Sequence, residues 1–246
     1  MGKVFAKDYR VAYYDCDCMS RMTLADLVKV CLYYSGIQSE NLGRGDAYFH
    51  EQNLTWVVTN YEIEIERLPM FNEKIIIRTE AKSYNKFFCY RDFIVTDEEG
   101  NEIFIFHATF SLMNMETRRL ARVKDEYIEP YESEKTKKIF RTHEIASFKE
   151  PLKKVYDVRF SDLDSNKHVN NAKYISWMTD SLGFDFLTTH QPKHVSLRFS
   201  KEVEYGQQVE SYAEFIDEQR SVHRMLVNGE AHAECEFQWG SLNEKL

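Results

Sequence analysis

Two segments of this 246-residue chain repeat one another at a constant spacing. Tyr9-x-Val11-x-Tyr13-x-Asp15-x-Asp17 matches Tyr156-x-Val158-x-Phe160-x-Asp162-x-Asp164. The same offset of 147 residues pairs Ala25 with Ala172, Val28 with Ile175, Cys31 with Met178 and Gly36 with Gly183. Self-similarity over half a chain restricts the fold to two copies of one unit. Each copy reads strand, helix, then a run of long strands. Leu24, Leu27, Val28, Cys31 and Leu32 follow helical spacing in the first copy; Ile175, Met178, Leu182 and Phe186 do so in the second.

The strands are long and alternating. Tyr61, Ile63 and Ile65 face one way and Glu62, Glu64 and Glu66 the other. Lys74–Ala81, Phe87–Thr96 and Ile103–Met113 follow, the last two joined by the turn Asp97-Glu-Glu-Gly-Asn101. The second copy offers Val195–Val203, Val209–Ile216, Ser221–Val227 and Ala231–Trp239, with Asn228-Gly229 as a hairpin turn. The expectation is an α+β fold: a helix on an antiparallel sheet of about five strands, built twice. The units span 1–117 and 153–246. The charge-rich stretch 118–152 reads as a solvated linker and, through its lysines, as a patch for an acidic partner.

Bulk properties exclude several classes. A net charge of −8 argues against a nucleic-acid binder. The longest apolar stretch, Ile103–Met113, contains His107 and Thr109 and is too short to span a membrane. Strand-like pattern begins by about Val4, so no signal or transit peptide is expected. Five scattered cysteines lack zinc-like spacing, and His190 and His194 are separated by Pro192; no metal is expected. No phosphate loop or dinucleotide glycine pattern occurs, so no cofactor is expected. Reduced cysteines fit a cytoplasmic protein.

The most chemically suggestive stretch is Ser161-Asp-Leu-Asp-Ser-Asn-Lys-His-Val-Asn-Asn-Ala-Lys-Tyr174. It places Asp164, Asn166 and His168 at alternate positions; if extended, they share one face ahead of a helix start. Backbone N–H groups near Val169–Asn171 would face a developing negative charge. The plainer alternative is an Asx-rich loop with Asn170 or Asn171 as helix cap. The repeat supplies a test. Asn166 becomes Met19 and His168 becomes Arg21 in the first copy, whereas Asp164 keeps its counterpart Asp17. That asymmetry favours chemistry in the second copy and binding or scaffolding in the first.

Asp-Leu-Asp-x-Asn-x-His-Val-Asn-Asn-x-Lys-Tyr resembles the signature of the acyl-ACP thioesterases of plants and bacteria. Leu197-Arg-Phe-Ser-Lys-Glu-Val203 is similar to the family's segment with the catalytic glutamate, which points to Glu202. Trp56-Val-Val-Thr-Asn-Tyr-Glu-Ile-Glu-Ile-Glu-Arg-Leu-Pro69 resembles its amino-terminal strand segment. Glu202 has no counterpart in the first copy, where Leu68 stands. The resemblance covers roughly Val4 to Trp239 and implies two tandem hotdog folds. It implies hydrolysis of fatty acyl-ACP, with acyl carrier protein as partner and an acyl tunnel through the first copy. Candidates for that tunnel are Trp56, Val58, Tyr61 and the Leu24–Leu32 helix face. Some members carry a cysteine after the glutamate; Val203 stands there, so no cysteine nucleophile is expected at that position.

No Gly-x-Ser-x-Gly elbow occurs, which leaves water as nucleophile. Glu202 or His168 would take its proton, Asn166 would hold the water or the carbonyl, and Asp164 would orient His168 or Asn166. Carrier docking would draw on the linker lysines with Arg118, Arg119 and Arg122. An acyl-CoA thioesterase and a non-catalytic acyl-binding protein are the alternatives. A homodimer is compatible with this reading.

Overall fold

The computed structural model describes residues 2–140, 145 and 147–242. Residues 141–144 and 146 of the expected linker, Met1, and the end of the second unit from 243 onward lie outside the described residues.

In chain order the first half is β1 (Val4–Arg10), α1 (Leu24–Asn41), α2 (Asp46–His50), β2 (Leu54–Ile65), β3 (Lys74–Tyr84), β4 (Phe88–Thr96) and β5 (Glu102–Asn114). A connection follows with α3 (Asp125–Ile128) and β6 (Glu134–Lys135). The second half is β7 (Leu152–Asp157), α4 (Asn171–Asp180), α5 (Phe184–Thr189), β8 (His190–Phe199), β9 (Gln208–Phe215), β10 (Arg220–Val227) and β11 (Glu230–Ser241). The expected architecture is present, with one addition: the two sheets are one. The strand order β1-β3-β4-β5-β2-β8-β11-β10-β9-β7 is the same five-strand topology written forwards and then backwards. The halves meet where Asn60–Glu64 of β2 pairs antiparallel with Arg198–His194 of β8.

The helices lie on the apolar face. Thr23 caps α1, its hydroxyl accepting from the Asp26 N–H at 3.1 Å. Leu24, Leu27, Val28, Cys31 and Tyr34 are buried from one stripe of the helix, and Ile75, Ile77, Phe93, Val95 and Phe106 meet them from the sheet. The second helix is shorter than its spacing predicts. α4 stops at Asp180, and Gly183, at φ 87° and ψ 165°, stands between the two helices as the N-cap of α5. Its partner in the repeat, Gly36, stays inside α1, and a Cβ there would meet nothing within 4 Å.

Two further expectations are corrected. The strand from Val195 ends at Phe199, so Glu202 sits in the following loop. The stretch after β5 is not uniformly solvated: Val123, Tyr127 and Ile128 are buried against Phe49, Leu54, Tyr84 and Leu112. Alternating charges hid that small aromatic cluster. The Asn228-Gly229 turn forms as expected, with φ of 53° and 80°. No helix among the described residues is long and apolar enough to cross a membrane.

Candidate active site

Asp164 to His168 is a turn, not an extended segment. The Asp164 N–H donates to the His168 carbonyl at 2.8 Å, the Lys167 N–H donates to the Asp164 carbonyl at 3.0 Å, and Lys167 takes φ 65°. The Asp164 carboxylate accepts the N–H of Asn166 at 2.8 Å and of His168 at 3.4 Å. The first copy builds the same turn: Asp17 accepts from the N–H groups of Met19 at 2.8 Å and Arg21 at 3.1 Å, with Ser20 at φ 59°. Backbone recognition by a short carboxylate explains why this aspartate stands in both copies. The turn presents Asn166 and His168 in the second copy. In the first it presents Met19 and Arg21, and the Arg21 guanidinium donates to the Leu187 carbonyl at 2.9 Å, tying the turn to the other half.

Glu202 reaches His168 because its loop is held from two sides. The Ser200 N–H donates to the His232 carbonyl at 2.8 Å, and His232 Nδ1 lies 3.0 Å from the Glu202 carbonyl. The carbonyl of buried Val203 accepts the Val169 N–H at 2.8 Å. Glu202 Oε2 therefore stands 3.4 Å from His168 Nε2, a close electrostatic contact longer than a good hydrogen bond. The same oxygen is ion-paired with Arg118 Nη2. Burial pushes the His168 imidazole below its ordinary pKa, and the Arg118 charge adds to this against Asp164 and Glu204. The imidazole is thus neutral at neutral pH and able to accept a proton. The Asn166 side-chain amide makes no hydrogen bond among the described residues.

These groups line a cavity of about 690 Å³ that opens where β2 and β8 stop pairing. Its walls come from both halves: Trp56, Val58 and Met113 from the first, Tyr174 and Phe199 from the second. A second, apolar groove of about 550 Å³ runs between α1 and the first half-sheet and shares Trp56 and Val58 with the cavity. Leu32, Ser35, Gly36 and Ser39 face it from α1 at i, i+3, i+4 and i+7. Most of the other expected tunnel residues are elsewhere. Tyr61 is buried in the core between the rings of Phe106 and Phe199, and of the Leu24–Leu32 helix face only Leu32 meets the groove.

The helix start contributes less than expected. The Val169 N–H is taken by Val203, the Asn170 N–H by the Asp162 carbonyl at 2.9 Å, and the Ala172 N–H by the Asn170 side chain at 3.0 Å. Only the Asn171 N–H, at the cavity wall, has no hydrogen-bond acceptor among the described residues.

Sequence reasoning placed Arg118 in a docking patch and missed it here. A turn after β5 with φ 53° at Arg118 swings it over the cavity, and only tertiary structure reveals a contact between residues so far apart in sequence. Other expected docking cations are already paired: Lys135 with Asp125 at 2.8 Å, Lys153 with Glu210 at 2.5 Å and Lys154 with Asp180 at 2.9 Å. No cysteine lines the cavity; Cys31 and Cys235 are buried, and burial raises the Cys89 thiol to about 12.

Models of the acyl-ACP thioesterase N-terminal and C-terminal domains match residues 2–131 and 145–241. An oleoyl-acyl carrier protein thioesterase of Coriandrum sativum is 31% identical over 206 residues, covering 77% of this chain and 56% of that protein. A palmitoyl-acyl carrier protein thioesterase of Gossypium hirsutum is 31% identical over 164 residues, covering 62% and 39%. The chain thus spans about half the length of the curated relatives it matches. A solved structure from Lactobacillus plantarum, described as an oleoyl thioesterase, superposes with a TM-score of 0.94 at 34% identity, covering 99% of this chain and 98% of that one. The 12:0-ACP thioesterase of Umbellularia californica, at 19% identity, shares the fold with a TM-score of 0.86 and 97% coverage of each chain.

Proposed function

Because the chain belongs to the acyl-ACP thioesterase family, we propose that it hydrolyses fatty acyl-ACP to free fatty acid and holo carrier protein. The observation that carries this reading is the His168 imidazole facing Glu202 at 3.4 Å, in a cavity that shares its Trp56 and Val58 wall with an apolar groove.

Water attacks the thioester carbonyl carbon as His168 takes its proton on Nδ1, the ring nitrogen that does not face Glu202. The Glu202 carboxylate stabilises the imidazolium that forms, as an acidic partner does for a catalytic histidine elsewhere. The Asn171 N–H and the Asn166 amide stand at the cavity to receive the oxyanion. Collapse of the tetrahedral intermediate breaks the C–S bond, and the imidazolium returns its proton to the departing sulfur. Asp164 is a positioning residue that shapes the turn. The Arg118 guanidinium occupies the Glu202 carboxylate as an ion-pair partner, which favours His168 over Glu202 as the base. The acyl chain lies along the groove under α1.

An acidic carrier would first meet Lys167, which is exposed at the cavity lip and has no ion pair among the described residues. The test is thiol release from one acyl group carried by ACP and by CoA, with His168→Ala as control. Turnover on ACP that is lost in the variant supports the reading. Tight acyl binding without turnover overturns it, and equal use of CoA removes the carrier assignment.

A further inference from the structure

Arg91 is a buried charge without a counter-charge. It projects from β4 into the apolar groove, is 8% exposed, and makes no ion pair among the described residues. Its Nη1 donates to Gln38 Oε1 at 2.6 Å and to Thr79 Oγ1 at 2.9 Å, and its guanidinium lies 5.5 Å from the centre of the Tyr131 ring. Nε and Nη2 have no acceptor among the described residues. A guanidinium stays protonated, and burying it beside neutral partners alone is costly. The equivalent strand of the other half, β10, resolves the same problem differently. His223 there is fully buried, held neutral by a pKa pushed down to about 3, and hydrogen-bonded to Ser221 at 2.8 Å.

The groove adjoins the reaction cavity, and Trp56 and Val58 line both. Val58 is in register with Phe110 and Phe110 with Cys89, and Arg91 follows two residues along β4 on the same face. Two strand spacings separate β2 from β4, roughly 10 Å. A chain entering past Trp56 and Val58 and lying across the sheet would bring its distal carbons to the Arg91 fork. A methyl terminus there would strip water from the charge and return no hydrogen bond. An oxygen would be received by two donors that now lack an acceptor.

We propose that Arg91 is a specificity determinant that selects acyl chains bearing a hydrogen-bond-accepting oxygen, hydroxyl or carboxylate, at the distal end. This rests on the thioesterase reading for its substrate, and its test separates the two. Acyl thioesters of matched length ending in methyl, hydroxyl or carboxylate are compared by kcat/KM across a length series, in the wild type, Arg91→Met and Arg91→Lys. Binding of the corresponding non-hydrolysable pantetheine thioethers is measured in parallel by fluorescence of the groove's Trp56.

The expected result is a length at which an oxygen-ended chain exceeds its methyl-ended partner by about tenfold or more, the size of a charge-assisted hydrogen bond. That ratio should collapse in Arg91→Met and be partly kept in Arg91→Lys. A wild-type preference for methyl-ended chains at every length overturns the proposal, as does an unchanged ratio in a folded Arg91→Met protein. Should no thioester be hydrolysed, the thioethers still decide: discrimination in binding upholds the Arg91 site while the thioesterase reading falls. Should Arg91→Met not fold, the wild-type ratio and Arg91→Lys carry the decision.

Discussion

Replacing Gly36 separates the stability of α1 from the shape of the groove beneath it. Gly36 lies inside an 18-residue helix, and a Cβ there meets no atom within 4 Å. Gly36→Ala therefore gains helix propensity without a clash, about 0.8–1.0 kcal/mol. For a chain of this size that raises the melting temperature by about 2–4 °C. Gly36→Leu extends the same vector into the groove. Each substrate methylene it displaces forfeits about 0.8 kcal/mol, roughly a fourfold loss in kcat/KM. Chains too short to reach α1 should be unaffected, so the optimum moves to shorter chains. Differential scanning calorimetry and hydrolysis of an acyl-ACP length series read the two effects. A destabilised Ala variant would show that Gly36 is needed for packing or strain. A Leu variant with the wild-type length profile would refute the placement of the acyl chain under α1.

His168→Ala should lower kcat by about 10²–10⁴-fold with little change in melting temperature, because the residue is half-buried on a turn built by Asp164. Glu202→Gln should also cripple turnover despite its shape, since an amide cannot balance an imidazolium; near-wild-type rates would remove the carboxylate from the mechanism. Because the His168 pKa is lowered, the base is already free at neutral pH, so the acid limb of kcat/KM should lie below pH 6.5. Arg118→Ala should move that limb upward, as a positive charge that disfavours the imidazolium is removed. His223, neutral in the fold with a pKa of about 3, predicts acid lability: between pH 6.5 and 3 the unfolded chain binds the extra proton, and stability falls by up to about 1.4 kcal/mol per pH unit. A His223→Phe variant that folds should lose this pH sensitivity in urea titrations.

The repeat made the fold legible, because side-chain periodicity and hairpin turns are local properties. It also sorted the candidate site. Asp17 and Asp164 do the same backbone work in both copies, whereas Asn166, His168 and Glu202 stand in one copy only. Local pattern could not show that Asp164–His168 folds back on itself, since alternation of polar residues fits a turn as well as a strand. Gly36 and Gly183 look equivalent in sequence, yet one is inside a helix and the other lies between two, and only packing decides between them. Arg118 and Arg91 were invisible as site residues because their roles depend on what lies across the cavity or is missing beside them.

The five-pair seam between β2 and β8 decides how the protein can be handled as pieces. Cutting the connection would leave the twelve-residue β2 and the ten-residue β8 as raw sheet edges with unpaired backbone groups. The Ser196 hydroxyl would lose the Glu62 carboxylate at 2.7 Å, and Lys193 the Glu66 carbonyl at 2.6 Å. Each fragment would present an adhesive template to its own copies and self-associate strand to strand. Co-expressed halves should instead recombine through β2 and β8, since that pairing alone rebuilds the fork in which His168, Glu202 and Arg118 meet.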